Sequence, residues 1–308
     1  MSEAEPMPVV GEGQALVRVH AAGINFVDIY QRLGRYAVKL PYIPGLEGAG
    51  VVESVGDNPT GLRPGDRVAY TGHLGSYSEY VAIDTDKLIR LPAELSFAEG
   101  AALPLQGMTA HYLMHEYRKP KLGDVVLVHA AAGGVGRLLV QWAKHLGATV
   151  IGTVSTEAKA HVAAAAGADH TILYTRQDFV AETKRLTNGH GADLIIDGVA
   201  KSTFTGDLEA AAMCGHVVIF GASSGTADAV SPNALMPRCL SVSGGTLFHF
   251  AATREDIARR SRDVLQGIRE GWLRLHIDRQ LPLEEAARAH QLLEGRQSVG
   301  KLVLQVAE

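Results

Sequence analysis

The sequence contains little cysteine. Its 308 residues include only two, Cys214 and Cys239. Two thiols cannot build a disulfide framework, and by themselves they cannot supply the four ligands of a structural zinc site. Free thiols of this kind usually pack as small hydrophobic side chains, and no positioned base accompanies either of them. We therefore expect a reducing compartment and no thiol chemistry.

Long apolar runs and an excess of basic residues are also absent. No stretch approaches the roughly 18 apolar residues that a spanning helix needs, and the opening MSEAEPMPVVGEG lacks the basic and apolar regions of a signal peptide. Lys and Arg number 29 against 33 Asp and Glu, a net charge of −4. That balance gives no bulk field for a phosphate backbone or an anionic membrane. We expect a cytoplasmic protein that acts on small molecules, with no obligate nucleic acid and no membrane partner.

Composition and length indicate an ordinary globular protein of two domains. Hydrophobic residues make up 46% and charged residues 20% of the chain. Up to about residue 90 the pattern alternates between apolar and polar residues and is interrupted by Gly and Pro, for example in 15–20, 50–56 and 78–83. This period of two predicts short strands in a β-rich region.

From about residue 105 the pattern changes to apolar strands that alternate with helices. We predict strands at 125–129, 148–154, 170–173, 194–197 and 217–221, with helices that begin near Gly134, Glu157, Arg176 and Ser202. Such alternation predicts a doubly wound α/β domain with a parallel sheet.

The remaining segments add helices at both ends of this α/β region. A helix at 254–270, a short strand, a helix at 283–294 and a closing strand at 301–306 follow it. Ser96 and Glu99 have the spacing of a capping box, which predicts that a helix leads into the α/β region.

A glycine-rich segment lies between the first predicted strand and the first predicted helix of the α/β region. Set against the pattern G-x-G-x-x-G, it has Ala131, Gly133 and Gly136 at the three key positions. Gly133 would let the backbone approach a pyrophosphate, and Gly136 would let the helix pack closely on the strand. A plain tight turn is the alternative, but the strand before and the helix after it favour a dinucleotide site.

The choice of dinucleotide is predicted from the end of the next strand. An acidic residue there would accept a hydrogen bond from the ribose of NAD, whereas this chain has Ser155, followed by Lys159. A hydroxyl and an ammonium can hold a 2′-phosphate, so we predict NADP(H). Against this stand the nearby Glu157 and the ordinary role of lysine as a solvated helix residue.

Three motifs in order carry a family resemblance: AAGINFVD at 21–28, PGLEGAG at 44–50 and AAGGVG at 131–136. With them the chain resembles the medium-chain dehydrogenase/reductase superfamily over essentially its whole length. It is most similar to the zinc-free NADPH:quinone oxidoreductases, the zeta-crystallin-like branch. The resemblance implies a β-rich GroES-like catalytic domain at 1–106 and 246–308, and an NADP-binding Rossmann domain at 107–245.

Within this superfamily the zinc enzymes place a Cys where Asn25 stands and a His where Leu46 stands. Neither Asn nor Leu offers the soft or imidazole ligand that zinc prefers. His111 and His115 have helical i, i+4 spacing but no third ligand and no HExxH motif, which favours a structural role for both. We expect no metal site.

The resemblance also implies site residues. Asn25, Tyr30 and Tyr36 would line the acceptor pocket beside the nicotinamide, with Asn25 or a tyrosine hydroxyl as the stabiliser of the oxyanion. Taken alone, Asn25 is equally a turn residue, and both tyrosines could be half-buried packing residues.

The positions that match cofactor contacts in the family extend along the whole dinucleotide. Near the nicotinamide, its ribose and its carboxamide they are Phe26, Asp28, Thr109, Tyr112, Val199, Phe220, Gly221, Ser223, Thr246, Leu247 and Phe248. At the phosphates and the adenosine they are Gly133, Gly134, Val135, Gly136, Ser155, Lys159, Tyr174 and Arg296.

The resulting hypothesis is an enzyme that transfers a hydride from NADPH to a quinone or a related conjugated carbonyl compound, without zinc. A 2-enal or enoyl-thioester reductase and a non-catalytic NADPH-binding protein are the alternatives. Members of this branch are commonly dimers, and the stretch 240–243 could pair across a two-fold axis. We therefore also expect a homodimer.

Overall fold

A computed structural model describes residues 5–57 and 60–307. The chain divides into two compact units. The first unit comprises Met1–Met108, Ala251–Val264 and Leu275–Glu308, and the second comprises Thr109–Phe250 and Leu265–Arg274. The two units are compact parts of the structure, and their bounds do not show which part is catalytic. The division into a catalytic domain at 1–106 and 246–308 and an NADP-binding domain at 107–245 therefore stays a prediction.

The strands along the described residues are β1 (Gln14–Gly23), β2 (Glu47–Val55), β3 (Arg67–Thr71), β4 (Tyr80–Asp84), β5 (Ile89–Arg90), β6 (Val125–Val128), β7 (Thr149–Val154), β8 (His170–Leu173), β9 (Ala192–Asp197), β10 (Ala211–Ile219), β11 (Ser241–Gly244), β12 (Ile277–Pro282) and β13 (Lys301–Gln305). The helices are α1 (Phe26–Arg32), α2 (Phe97–Gly100), α3 (Pro104–His115), α4 (Gly134–His145), α5 (Glu157–Ala165), α6 (Phe179–Leu186), α7 (Phe204–Ala210), α8 (Leu247–Phe250), α9 (Arg254–Arg269) and α10 (Ala286–Glu294). We find no helix in this described part of the chain with the length and apolar character of a transmembrane span.

The first unit is built on one sheet with the strand order β12-β13-β1-β2-β3-β5, in which β4 also pairs with β1. Only β12 and β13 run parallel among these pairs. Ala15, Val17 and Val19 alternate along β1 and are fully buried, which is the period-2 pattern of a strand with one face on a core. The predicted β-rich region is therefore confirmed.

The second unit is built on a parallel sheet with the order β11-β10-β9-β6-β7-β8. Numbered from β6, this is 6-5-4-1-2-3, the strand order of the dinucleotide-binding fold. Every residue of the central strand β9 is buried, as expected for a strand covered on both faces. The predicted doubly wound α/β class is confirmed.

Local capping residues explain where several helices begin. Ser96 Oγ accepts from the backbone N–H of Glu99, and Glu99 Oε2 accepts from the backbone N–H of Ser96 at 2.8 Å, so the predicted capping box is present at α2. The prediction of a helix start near Arg176 was wrong by three residues. Asp178 Oδ1 accepts from the N–H of Val180 at 2.8 Å, and this side-chain cap starts α6 at Phe179.

Candidate active site

The glycine-rich loop follows β6, next to the point where the strand order of the second unit reverses between β6 and β9. Ligands of open α/β sheets bind at this point, beyond the carboxyl ends of the strands. Ala130 has a left-handed backbone (φ 50°), and the N–H of Gly133 donates to its carbonyl oxygen at 2.8 Å. Gly133 then caps α4, so the free N–H groups of that helix face the end of the loop.

The two glycines of the loop have different surroundings. A Cβ on Gly136 would lie 2.3 Å from the carbonyl oxygen of Ala130 and 2.9 Å from the Cα of Ala131. A Cβ on Gly133 would meet only the same oxygen, at 3.2 Å. Gly136 is therefore required for the packing of α4 on the loop, whereas a Cβ on Gly133 would need only a small shift of one neighbouring oxygen.

A buried polar group supports this loop, and the sequence did not indicate it. His129 precedes the loop, with its Nδ1 2.8 Å from Thr153 Oγ1 and its Nε2 2.7 Å from Asp207 Oδ1. Burial favours the neutral ring, but the Asp207 carboxylate raises the pKa of His129 above its ordinary value. Burial also raises the pKa of Asp207. The position of His129 at the end of β6 was the only signal available in the sequence.

Asp197, at the end of β9, organises the neighbouring turn. Its carboxylate accepts from the N–H groups of Val199 (2.6 Å) and Ala200 (3.1 Å) and from Thr203 Oγ1 (2.7 Å). Ser223, which was predicted near the carboxamide of the nicotinamide, donates its N–H to Gly198 at 3.1 Å. The structure thus brings the predicted residues Val199 and Ser223 together at one edge of the sheet.

Other predicted cofactor residues lie close to them in the second unit. A Cβ on Gly198 would lie 2.8 Å from the Phe220 ring, and a Cβ on Gly221 would lie 2.9 Å from the carbonyl oxygen of Gly198. Tyr112 is buried, donates its hydroxyl to Gly245 at 3.2 Å and stacks on Phe250 with ring centroids 4.5 Å apart. It therefore anchors the segment that contains three further predicted residues, Thr246, Leu247 and Phe248. Thr109 is buried one helical turn before it.

The predicted adenosine end is assembled around the start of α5. Thr156 caps this helix by accepting from the N–H of Lys159 at 3.3 Å. Ser155 lies directly before it and is partly exposed, and Tyr174, after β8, is 41% exposed. Arg176 pairs with Glu157 at 3.2 Å, which places a second cation beside these residues that the sequence reasoning missed.

In the first unit, Asn25 belongs to a buried ion-pair cluster. Lys301 Nζ donates to Asn25 Oδ1 at 2.7 Å and pairs with Glu47 Oε2 at 2.5 Å. The Asn25 amide nitrogen donates to Glu47 Oε2 at 2.9 Å and to the carbonyl oxygen of Gly23 at 3.2 Å. Asn25 is 5% exposed, and all polar atoms of its side chain already have partners in this cluster.

Asp28 continues the cluster toward α10. Its Oδ2 accepts from the backbone N–H of Asn25 (2.8 Å) and from the Tyr77 hydroxyl (3.2 Å), and the Tyr77 oxygen lies 3.0 Å from Nε2 of His290. Arg32 approaches Nδ1 of His290 at 3.2 Å. Because a guanidinium can only donate, His290 accepts at Nδ1, so Nε2 carries the proton and donates to Tyr77.

The pKa values agree with this direction of the hydrogen bonds. Burial raises the pKa of Asp28 to about 7, against the hydrogen bond from Asn25 and the Lys301 charge, which favour the carboxylate. Burial, with the nearby Arg32 charge, lowers the pKa of His290 to about 4, so its ring is neutral at pH 7. Burial and the charge of Asp28 raise the pKa of Tyr77.

Aromatic side chains of the first unit cluster around the end of α1. Phe26 and Tyr30 have ring centroids 6.1 Å apart, and Tyr30 and Tyr36 meet edge to face at 5.4 Å. Tyr30 is mostly buried, whereas Tyr36 is 49% exposed. The structure therefore brings the two predicted acceptor tyrosines together. Arg296, with a left-handed backbone after α10, is the remaining predicted residue of this unit.

The residues that the zinc enzymes use are replaced here by a different arrangement. Leu46 is buried, and Asn25 bonds to the Lys301–Glu47 pair. Among residues 5–57 and 60–307, no group of three or more His, Cys, Asp or Glu side chains has a geometry suited to a metal ion. The expectation of a metal-free site stays a prediction.

Comparison with known proteins gives matches along most of the chain. The alcohol dehydrogenase GroES-like domain family matches residues 11–93, and the zinc-binding dehydrogenase family matches residues 134–262. A quinone oxidoreductase from Pseudomonas aeruginosa is 40% identical over 297 residues, which cover 96% of this chain and 91% of that protein. A 2-haloacrylate reductase from a Burkholderia species is 39% identical over 303 residues, with the same coverage of 96% and 91%.

Solved structures give the same result. Escherichia coli quinone oxidoreductase complexed with NADPH superposes with a TM-score of 0.93 at 37% identity, over 98% of this chain and 94% of that one. A mycobacterial protein complexed with NADPH superposes with a TM-score of 0.95, also at 37% identity, with the same coverage of 98% and 94%. The chain therefore belongs to the medium-chain dehydrogenase/reductase superfamily, in the branch of the quinone oxidoreductases, with a GroES-like and a Rossmann domain.

Proposed function

We propose that the protein is an NADPH-dependent reductase that transfers a hydride to a quinone or a related conjugated carbonyl compound. The observation that carries this proposal is the glycine-rich loop at the reversal point of a sheet with the dinucleotide-binding strand order. It is supported by the two relatives of 37% identity whose structures contain NADPH. Both sequence-similar reductases act on electron-poor unsaturated compounds by name.

When bound, NADPH supplies the hydride, and the second unit binds and orients it. The backbone N–H groups after Gly133 would hold the pyrophosphate, because a helix N-terminus attracts an anion. Ser155 and Lys159, at the start of α5, would hold the 2′-phosphate, and Tyr174 would pack at the adenosine. Val199, Phe220 and Ser223 would hold the carboxamide end. Proximity and orientation then account for the protein's part in the hydride step.

For the acceptor, we propose that the aromatic pair Tyr30 and Tyr36 contacts the planar conjugated group. Asn25 was also predicted to contact the acceptor and to stabilise the oxyanion. Its amide already donates to Glu47 and to Gly23. We therefore propose that a tyrosine hydroxyl stabilises the oxyanion, and that Asn25 acts by holding the start of α1 in place.

The proposal is tested by an acceptor screen. We expect the purified protein to oxidise NADPH with 1,4-benzoquinone or 1,2-naphthoquinone, more efficiently than NADH, and to keep this activity after dialysis against a chelator. Reduction of enals or a crotonyl thioester in preference to quinones would assign another acceptor class. Tight NADPH binding with no turnover of any acceptor would contradict an enzymatic function.

Coenzyme choice has a separate test at Ser155. Replacing it by Asp places a negative charge where the 2′-phosphate would bind, which should raise the KM for NADPH and lower that for NADH. Asn188→Asp, an exposed residue between α6 and β9 at the amino end of the parallel strands, is a control with the same change of charge. Equal effects of both variants would contradict the placement of the 2′-phosphate at Ser155. The cytoplasmic location and the homodimer stay predictions.

A further inference from the structure

We propose that Arg35 extends the acceptor site into a subsite for an anionic substituent, so that conjugated acceptors that carry a carboxylate or sulfonate are preferred to their neutral analogues. This inference rests on the proposed function, since it concerns the acceptor of that same reaction. It names a property of the substrate, its charge, that the likeness to other reductases leaves open.

The backbone after α1 brings Arg35 back over the aromatic pair. The N–H groups of Arg35 and Tyr36 both donate to the carbonyl oxygen of Tyr30, at 2.8 and 3.3 Å. Gly34 makes this reversal with a left-handed backbone (φ 69°) at a position where nothing lies within 4 Å of an added Cβ. The turn therefore places residues 35 and 36 beside residue 30.

The guanidinium of Arg35 lies over the Tyr30 ring. Its Cζ is 5.7 Å from the ring centroid, within the range of a cation–π contact. The Tyr36 ring also contacts Tyr30, edge to face with its centroid 5.4 Å away, and Tyr36 is half exposed. One planar cation and two phenol rings are thus held together by a single short turn. A conjugated acceptor that packs on the rings would have its substituents within reach of the cation.

The carboxylates near Arg35 bond to other residues, so its guanidinium can bind a ligand. Arg32, one turn earlier, is already bound to Glu294 at 2.7 Å and to His290 at 3.2 Å. Arg35 is exposed and forms no ion pair with any carboxylate of the described residues. Asp28, on the same helix, is 1% exposed and accepts its hydrogen bonds from Asn25 and Tyr77. Lys39 adds a further positive charge to the same loop.

A guanidinium in this setting matches an anionic substituent better than a neutral one. Its planar fork donates two parallel hydrogen bonds to a carboxylate or sulfonate, and the contact with the ring restricts its rotation before the ligand arrives. The two relatives of nearly equal identity differ in this respect. One is named for a quinone, which is neutral, and the other for a haloacrylate, which is a carboxylate. Overall similarity therefore does not choose between them.

The test compares acceptors that differ only in charge. The pairs are 1,2-naphthoquinone-4-sulfonate with 1,2-naphthoquinone, and 2-chloroacrylate with its methyl ester. In Arg35→Leu we expect the KM of the anionic member to rise about 10-fold, the effect of losing a hydrogen bond to a charged group. The KM of the neutral member should change less than about 2-fold, because the rings remain. The kcat of both members should be nearly unchanged.

Two further variants and one change of salt concentration distinguish a direct contact of Arg35 with the substituent from a general effect of charge. Arg35→Lys keeps the charge but not the fork, so it should retain part of the preference. Arg63→Leu, in the turn between β2 and β3, changes the net charge equally and should leave the preference unchanged. Added salt should reduce the preference in the wild type and not in Arg35→Leu.

The outcomes separate this inference from the proposed function. Equal kinetics of the charged and neutral members in the wild type, or an unchanged preference in Arg35→Leu, would overturn the subsite while reduction of the neutral quinone supports the function. If Arg63→Leu lost the preference for anionic acceptors to the same extent, general electrostatic attraction would explain that preference. The subsite at Arg35 would then be overturned as well. Reduction of no acceptor at all would contradict both proposals.

Discussion

Lys301 begins the closing strand β13, where three buried apolar residues follow it, and we expect its own burial to make the first unit sensitive to its replacement. It is 1% exposed, and its partner Glu47 is fully buried. Removing one member of such a pair leaves an uncompensated buried charge. We predict that Lys301→Met lowers the free energy of unfolding by about 3–5 kcal/mol, measured by urea titration.

A matched exposed pair provides the control for this prediction. Arg18 and Glu53 lie 3.1 Å apart, and each side chain is 41% exposed. Because solvent screens such a pair, Arg18→Met should cost at most about 1 kcal/mol. If the two variants lost similar stability, the Lys301–Glu47 pair would not hold the first unit together in the way its burial indicates.

Asp28 should give the protein a specific dependence of stability on pH. Its pKa is raised by burial to about 7, so the folded chain keeps a proton that the unfolded chain releases between about pH 4 and 7. The free energy of unfolding therefore falls as pH rises through this window, by up to about 1.4 kcal/mol per pH unit from this group. Asn at position 28 cannot titrate and can still accept from Asn25 and Tyr77.

We predict that the difference in unfolding free energy, Asp28→Asn minus wild type, increases from pH 4 to 7 and is constant above that. Urea titrations at several pH values measure it, and groups that both proteins share cancel in the difference. A difference that does not vary with pH would mean that Asp28 is ionised in the folded protein throughout the range.

Asn25 shows how much of the site could be predicted from the sequence. Asn25 was recognised as a departure from the zinc pattern because its motif is contiguous. Its partners Glu47 and Lys301 are 22 and 276 residues away and meet it only after β1, β2 and β13 have paired. Short-range spacing contains no information on such contacts. An unexplained lysine at the start of an apolar strand was the only available sign.

At the scale of elements, strands and helices with strong local signals were predicted well. β8 was predicted with its observed bounds, and α4 and α5 begin at the predicted Gly134 and Glu157. β10 was predicted from residue 217 but begins at Ala211. Ala211 pairs with Ala192 of β9 across a shift in register, and the segment up to Gly215 has no strand-like alternation. Pairing with a neighbour, rather than local propensity, extends this strand.

The glycine-rich loop gives a prediction that separates packing from ligand binding. In Gly136→Ala the added Cβ would meet backbone atoms at 2.3 and 2.9 Å, so we predict a loss of about 1–3 kcal/mol in unfolding free energy. In Gly133→Ala the added Cβ has one close contact, 3.2 Å from the carbonyl oxygen of Ala130, and φ is an ordinary −75°, so the loss should stay below about 1 kcal/mol.

We expect Gly133→Ala to weaken the binding of NADPH directly, although Gly136→Ala loses more stability. A methyl group on Gly133 would occupy the place where we propose that the pyrophosphate approaches the backbone, so the Kd for NADPH should rise about 10-fold or more. Calorimetry or fluorescence titration measures this Kd, and urea titration of the same samples measures stability. An unchanged Kd for NADPH in Gly133→Ala would contradict the binding of the pyrophosphate at this loop.

At the scale of the whole molecule, the strand order of the second unit could not be read from the sequence. The alternation of strands and helices predicts parallel pairing and right-handed connections, but several orders satisfy both rules. The observed order places β6 and β9 at the centre. Every residue of β9 and all but the first of β6 are buried, whereas β8 has one buried residue and β11 has none. Burial on both faces thus explains the central positions, and β8 and β11 are left as edges.

The edge strand β11 carries our prediction about assembly. It pairs only with β10 among the described strands, and Ser241 at its start is exposed. If two copies pair along this edge around a two-fold axis, residue i of one copy lies against residue j of the other. A carboxylate at position 241 would then bring two charges without partners into the interface, one from each copy. We predict a dimer by sedimentation velocity for the wild type, and a shift toward monomer in Ser241→Asp. His170→Asp places a carboxylate on the opposite edge, β8, and should leave the dimer intact. A wild type that sediments as a monomer would contradict the assembly, and dissociation by the β8 variant instead would move the interface to that edge.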